Sequence, residues 1–334
     1  MDLRRFFSLA LAALLLLPAG CTSGDSEEKA IRIGIAIYKG DDTYISTMTT
    51  SIQESVDAYV RETGAKVYVT VSDAQESQAT QNDQIDRFLS LNYDVLCVNL
   101  VDRTDAGRVV DKARAADVPL IFFNREPVLE DLTSWDRVYY LGSDARESAE
   151  LQAGIVHSLW ETDRATLDLN GDGILQYVML EGESRHQDTI IRTEVPIQVL
   201  KDAGVPMERV DGGQANWSRS QAAALIESYF NAHENAIEVI FCNNDDMALG
   251  AADAVERLDL DFHNIVGIDG TPQGLAAVDE GKLLGTVVMD SPAHGDTAFR
   301  MALALAKEED LAQVTTVKED RSVRIPMYVY TGNK

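Results

Sequence analysis

A short acidic segment, Asp168-Leu-Asn-Gly-Asp-Gly-Ile-Leu-Gln176, carries the most distinctive chemistry in this sequence. Asp168, Asn170 and Asp172 alternate as oxygen donors. Gly173 permits a sharp turn, Ile174 offers a backbone carbonyl and Gln176 adds a side-chain oxygen. This order matches the front of an EF-hand loop, in which a hard cation such as calcium gathers carboxylate, amide and carbonyl oxygens. A complete loop ends in a bidentate Glu at its twelfth position, and here that position is Met179. Two readings follow. Either the segment is an acidic turn of the kind Asx and Gly residues form for backbone reasons, or the missing carboxylate comes from elsewhere in the chain.

A second group of polar residues falls where apolar runs end. Continuous apolar runs of strand length occupy residues 31–38, 66–71, 94–99, 119–123, 137–141, 176–180, 207–211, 238–243, 265–269 and 285–290. Helical periodicity fills most of the gaps, including 46–62, 79–91, 145–160, 188–203, 219–232 and 291–307. Such alternation predicts parallel sheets covered on both faces, and so many strands predict two doubly wound α/β domains. Function in open α/β sheets collects at the carboxyl ends of strands. Those ends carry Asp42 and Tyr44, Asn124, His186 and Asp188 with Arg192 a turn later, Asn244, and Asp269; Trp217 supplies a second ring. Carboxylates accept, Arg donates, amides do both, and flat rings pack on the C–H faces of a pyranose. The set suits a neutral polyhydroxylated ligand held in one cleft.

The chain has 334 residues and a formal net charge of −26. Such a field repels phosphate backbones, so no nucleic-acid partner is expected. Arg4 and Arg5 precede an apolar run, 6–17, and Pro18-Ala-Gly-Cys21 follows. This pattern predicts a signal peptide over 1–21, a lipobox with lipidation at Cys21, and a polar tether over 22–30. Cys97 and Cys242 sit inside apolar runs and are expected as buried free thiols. The sequence holds no Walker or G-x-G-x-x-G loop after the first strand, no G-x-S-x-G elbow, no H-E-x-x-H and no C-x-x-C. Nothing requires bond chemistry, and the chain is not expected to be an enzyme.

Taken together these residues resemble the periplasmic sugar-binding proteins of the D-galactose/D-glucose type, solute receptors of ABC importers with the type I binding-protein fold. The matching segments run from Arg32-Ile-Gly and Ile37-Tyr-Lys through Asp41-Asp42, Gln81–Asp86, Asn99–Asp102, Phe122–Asn124 and Glu126-Pro127. They continue through Asp168–Gln176, Asn243–Asp245 and Gly267–Asp269.

The resemblance implies that Asp42, Tyr44, Asn124, His186, Asp188, Arg192, Trp217, Asn244 and Asp269 bind the sugar. It implies that Glu238 completes a structural calcium site with Asp168, Asn170, Asp172, Ile174 and Gln176. Two positions depart from the family, which has Phe at Tyr44 and Asn at Met289. The implied ligand is a glucose/galactose-like aldohexose. It would be captured by closure of a first lobe (31–142 plus 291–324) on a second (143–290 plus 325–334) about a three-segment hinge. The implied partner is an ABC permease, with a chemoreceptor or sensor kinase as the alternative, and the protein is expected to be a lipid-anchored monomer. A repressor of the lac type shares the core, but it would need a helix-turn-helix and basic surface. A secreted glycosidase would need two carboxylates at fixed separation.

Overall fold

The computed structural model describes residues 29–233 and 236–332. The expected signal peptide, Cys21 and most of the tether lie outside the described residues. Strands β1 (Ile31–Ile37), β2 (Val67–Asp73), β3 (Val95–Val98), β4 (Leu120–Phe123) and β5 (Val138–Gly142) come first. Then follow β6 (Leu175–Glu181), β7 (Met207–Gln214), β8 (Val239–Cys242), β9 (Ile265–Asp269) and β10 (Gly285–Val288). Two short strands end the described chain, β11 (Ser322–Arg324) and β12 (Tyr328–Tyr330).

They form two six-stranded sheets, ordered β11-β5-β4-β3-β1-β2 and β12-β10-β9-β8-β6-β7. The first is parallel throughout, and the second is parallel except where β12 runs against β10. This is the α/β architecture the alternating pattern predicts. Strands β11 and β12 were not among the apolar runs, because three residues each are too few for a periodic signal.

The helices are α1 (Thr43–Thr63), α2 (Gln78–Ser90), α3 (Ala106–Ala115), α4 (Leu129–Leu132) and α5 (Ala145–Thr162). They continue as α6 (Gln187–Asp202), α7 (Arg219–His233), α8 (Asp245–Arg257), α9 (Pro272–Asp279) and α10 (Ser291–Ala306). Among the described residues no helix is long and apolar enough to cross a membrane. Central strands β3, β4 and β8 are buried along their whole length, as strands covered on both faces must be. Cys97 and Cys242 lie in this interior as free thiols. Burial pushes the Cys97 thiol up to about 12 and that of Cys242 well above the usual range, so neither is a ready nucleophile.

The chain passes between the sheets after β5, after β10 and between β11 and β12, and α10 packs against α1 of the first lobe. The crossing segments are tied to one another. Ser143 Oγ donates to the Ile325 carbonyl at 3.1 Å and lies 3.2 Å from His294 Nε2. The Ile325 N–H donates to the Gly142 carbonyl at 3.0 Å, and Arg324 donates to the Ser143 carbonyl at 3.2 Å while pairing with Glu126.

Candidate functional site

Helix starts at the strand ends position the first lobe's polar groups. Asp42 caps α1: its Oδ1 accepts the Ile45 N–H at 2.9 Å, and its Oδ2 accepts the Tyr38 hydroxyl. Tyr44 follows in the first turn, 7% exposed. Asn124 leaves β4 with φ of 61°, a left-handed conformation Asn tolerates better than most residues. Its Oδ1 accepts from Asn99 Nδ2 at 3.1 Å, which leaves its own Nδ2 to donate into the cleft.

The second lobe repeats the device. His186 caps α6, its Nδ1 accepting the Asp188 N–H at 3.1 Å. That bond places the ring proton on Nε2. Burial, followed by the charges of Arg125, Arg192 and Arg103, holds the imidazole well below its ordinary pKa, so it is a neutral donor. Asn244 caps α8 through Oδ1, which accepts the Met247 N–H at 3.0 Å, leaving its Nδ2 for other partners.

Arg192 is the electrostatic centre. It lies 3.2 Å from Asp188 and 3.6 Å from Asp269, and donates to the Asn243 carbonyl at 3.0 Å. Burial raises the Asp188 carboxyl and raises that of Asp269 well above the usual range, each opposed first by Arg192. Asp269 and Trp217 also have positive φ, 126° and 60°. The Trp217 indole meets the His186 ring edge-on, with centroids 5.2 Å apart. It also lies so close to Gly182 that a Cβ there would come within 2.2 Å of the ring.

All nine expected sugar-site residues line one cavity between the lobes, together with Tyr38, Ile45 and Arg125. None of these three was among the expected site residues, and Arg125 and Tyr38 are the two of them with polar groups to offer a ligand. The guanidinium of Arg125 lies 3.7 Å from the Tyr38 ring centroid and donates to Glu183 Oε1 across the lobe junction at 3.0 Å. The visible signal was an Arg directly after Asn124; its burial, at 6% exposure, was not readable. A larger groove of about 620 Å³ opens beside the cavity and shares Tyr38, Asp42 and Trp217 with it. Met289 does not line the cavity: its Sδ accepts from Arg192 Nη2 at 3.2 Å.

The Asp168 segment lies away from this cleft, ahead of β6. Gly173, at φ of 81°, makes the turn expected of it. Asp168 Oδ2 accepts the Gly173 N–H at 3.1 Å, Asn170 Oδ1 the Asp172 N–H at 2.8 Å, and Asp172 Oδ1 the Ile174 N–H at 2.8 Å. The register of β6 on β8 pairs Tyr177 with Val239, which sets Glu238 beside Gln176. The Glu238 carboxylate accepts the N–H groups of Asn170 and Gln176, each at 3.1 Å. Burial raises its pKa, backbone donors oppose this, and the Asp168 charge adds to the rise. Asp168 Oδ1 is buried with no hydrogen-bond partner. Among the described residues no three acidic, His or Cys side chains gather closely enough to hold a metal by themselves. An ion here would therefore also draw on the amides of Asn170 and Gln176 and the Ile174 carbonyl. Those amides now place their nitrogens against Asp172 Oδ2, at 3.2 and 2.9 Å; rotation exchanges nitrogen for oxygen. The donor types, with an orphaned carboxylate oxygen among them, fit a hard cation.

A cleft between two parallel-sheet lobes, walled by capping residues from both, defines a binding protein. The chain belongs to the periplasmic binding protein domain family, whose model matches residues 33–310. It is 34% identical over 297 residues, 88% of each chain, to the D-galactose/methyl-galactoside binding periplasmic protein of Haemophilus influenzae. It is 30% identical over 329 residues to a putative rhizopine-binding protein of Rhizobium meliloti, covering 97% of this chain and 96% of that one. A solved ABC-transporter solute-binding protein of Bacillus halodurans, with bound myo-inositol, superposes with a TM-score of 0.75 at 30% identity. That match covers 92% of this chain and 96% of the other. The family is one of exported solute-binding proteins of ABC transporters, not of enzymes.

Proposed function

We propose that this protein captures a monosaccharide, a glucose/galactose-like aldohexose, between its lobes and presents the closed form to the permease of an ABC importer. One observation carries the reading. One cavity is walled by residues of both lobes that pair two flat rings, Tyr44 and Trp217, with the carboxyl oxygens of Asp42, Asp188 and Asp269 and with donor-only Arg192 and His186 Nε2–H. Each sugar hydroxyl both donates and accepts, so it is satisfied only between such opposites. Neither lobe alone supplies the full set, and the ligand therefore stabilises the closed arrangement. Relatives that bind a galactoside or hold myo-inositol support a polyhydroxylated ring as ligand.

On this reading the Asp168 loop with Glu238 is a structural calcium site, Cys21 carries a lipid anchor, and the protein acts as a monomer. In the loop, Asp168, Asn170, Asp172, Gln176, Glu238 and the Ile174 carbonyl hold the ion, which ties β6 to β8 away from the sugar. The test is calorimetric titration of the chain lacking residues 1–21 with glucose, galactose, xylose, ribose and myo-inositol. Binding of a hexose, lost in both Asp188→Ala and Trp217→Ala while both variants keep their circular dichroism, is expected. Unchanged affinity in either variant overturns the site, and binding of inositol alone overturns the aldohexose assignment.

A further inference from the structure

Tyr44 has two functional ends, and its role as a stacking surface uses only one. The ring is held edge-on by His294, with centroids 6.2 Å apart and planes at 81°. His294 is itself fixed by the Asp290 carbonyl at 2.9 Å and by Ser143 at 3.2 Å, both in the segments that cross between lobes. The phenol is thus positioned by the lobe junction. Its hydroxyl is buried and has no hydrogen-bond partner. The charges it feels are those of Asp269, Arg192, Asp42 and Asp188, which all line the same cavity. Arg192 Nε, in the same wall, is buried and unpartnered as well. Behind the cavity wall, buried Met289 accepts from Arg192 Nη2 through its sulfur at 3.2 Å and does not reach the cavity itself.

A buried hydroxyl left unpaired is unfavourable, and a phenyl ring would fill the same space without that cost. A partner that enters the cavity, a water in the free protein or a ligand hydroxyl in the complex, would satisfy the oxygen. We infer that the Tyr44 hydroxyl is a selectivity-setting contact, donating a hydrogen bond to one ring hydroxyl of the bound sugar. This rests on the sugar-capture reading given above. The chemistry is complementary: a sugar hydroxyl that gives its proton to a carboxylate keeps lone pairs in need of a donor. Burial keeps the phenol protonated and hence a donor. The relay runs from phenol to sugar hydroxyl to carboxylate, and it discriminates by whether an oxygen stands at that ring position.

The test is Tyr44→Phe, titrated calorimetrically with the hexose the wild type prefers and with its singly deoxygenated analogues, alongside melting of the unliganded proteins. Tyr44→Phe should bind the parent sugar about tenfold more weakly and bind one deoxy analogue as well as the wild type does. Its unliganded melting temperature should stay level or rise, because an orphaned hydroxyl has been removed. Equal affinity for the parent sugar overturns the inference. So does an equal loss across every analogue, which would mark a disturbed ring stack, or a lowered unliganded melting temperature, which would mark a bond within the protein. A wild type that binds no sugar overturns the sugar-capture reading and this inference with it, so the two failures are told apart by the wild-type titration.

Discussion

On the capture reading proposed above, the ion pair between Arg125 and Glu183 is a contact that opening of the lobes would break. It spans the lobe junction at 3.0 Å, with side chains 7% and 29% exposed. Glu183 does not line the sugar cavity, so its replacement leaves the ligand's own contacts in place. Glu183→Gln keeps the volume and an acceptor oxygen for Arg125, whose stacking on Tyr38 is retained, and removes the charge alone.

At an effective dielectric constant of about 20, unit charges some 4 Å apart attract by roughly 4 kcal/mol. Most of this is offset by desolvating the two groups on closure, leaving about 1–2 kcal/mol for the pair. In the open form both groups are hydrated, so that difference falls entirely on the closing equilibrium. Ligand affinity reports the closed population, and each 1.4 kcal/mol is about tenfold. Glu183→Gln should therefore weaken hexose binding by roughly 5- to 30-fold. Calorimetry measures the loss, and small-angle scattering of the sugar-free protein should show a larger radius of gyration in the variant. The effect should fade little between low and moderate salt, because a partly buried pair is weakly screened. An affinity within about twofold of wild type would refute the reasoning, since the pair would then contribute equally to open and closed forms.

Two further perturbations separate structural from binding roles. Asp245 is buried, accepts from Thr271 N–H and Oγ1 and from Thr286 Oγ1, and burial pushes its carboxyl up to about 7. A carboxyl raised on folding contributes its stability fully below the unfolded pKa of about 3.9, and that contribution fades as pH rises through the folded value. Asp245→Asn should accordingly raise the melting temperature by a few degrees at pH 8 and by less at pH 5; a difference independent of pH would count against the buried-charge account. For the Asp168 loop, chelator should lower the wild-type melting temperature by several degrees, as loss of a ligand held at about 100 times its Kd removes about 2.7 kcal/mol. Glu238→Ala should make melting insensitive to chelator and leave sugar affinity unchanged, whereas a wild-type melting curve that ignores chelator would end the calcium reading.

The alternation of strand and helix was legible because β3, β4 and β8 are apolar from end to end, a pattern few other placements allow. The short strands β11 and β12 had no such pattern and are fixed by pairing with β5 and β10. Within the site, legibility depended on whether a residue's type was informative where it stood. Arg125 read as a loop charge beside Asn124, since its burial depends on Tyr38, 87 positions earlier, and on Glu183 in the other lobe. Met289 was visible as the wrong type for a polar wall, yet only the fold shows its sulfur turned to Arg192.

Asp42, His186 and Asn244 pose the subtler case, because each caps a helix and the cap alone would explain its type. Capping and recognition are not rival explanations here. A cap uses one acceptor atom of a side chain that has two polar ends, and in doing so fixes the direction of the other. In His186 the cap even chooses the tautomer, leaving Nε2–H as the donor. Helices that begin at the carboxyl ends of parallel strands must be capped there in any case. Choosing caps with a second polar atom makes the folding requirement itself the source of an ordered row of donors and acceptors. Tyr44 caps no helix, and its phenol is held at the lobe junction by His294. The selectivity of the cleft should therefore change through Tyr44, which is free of capping duty, before it changes through Asp42, His186 or Asn244, whose replacement would also loosen α1, α6 or α8.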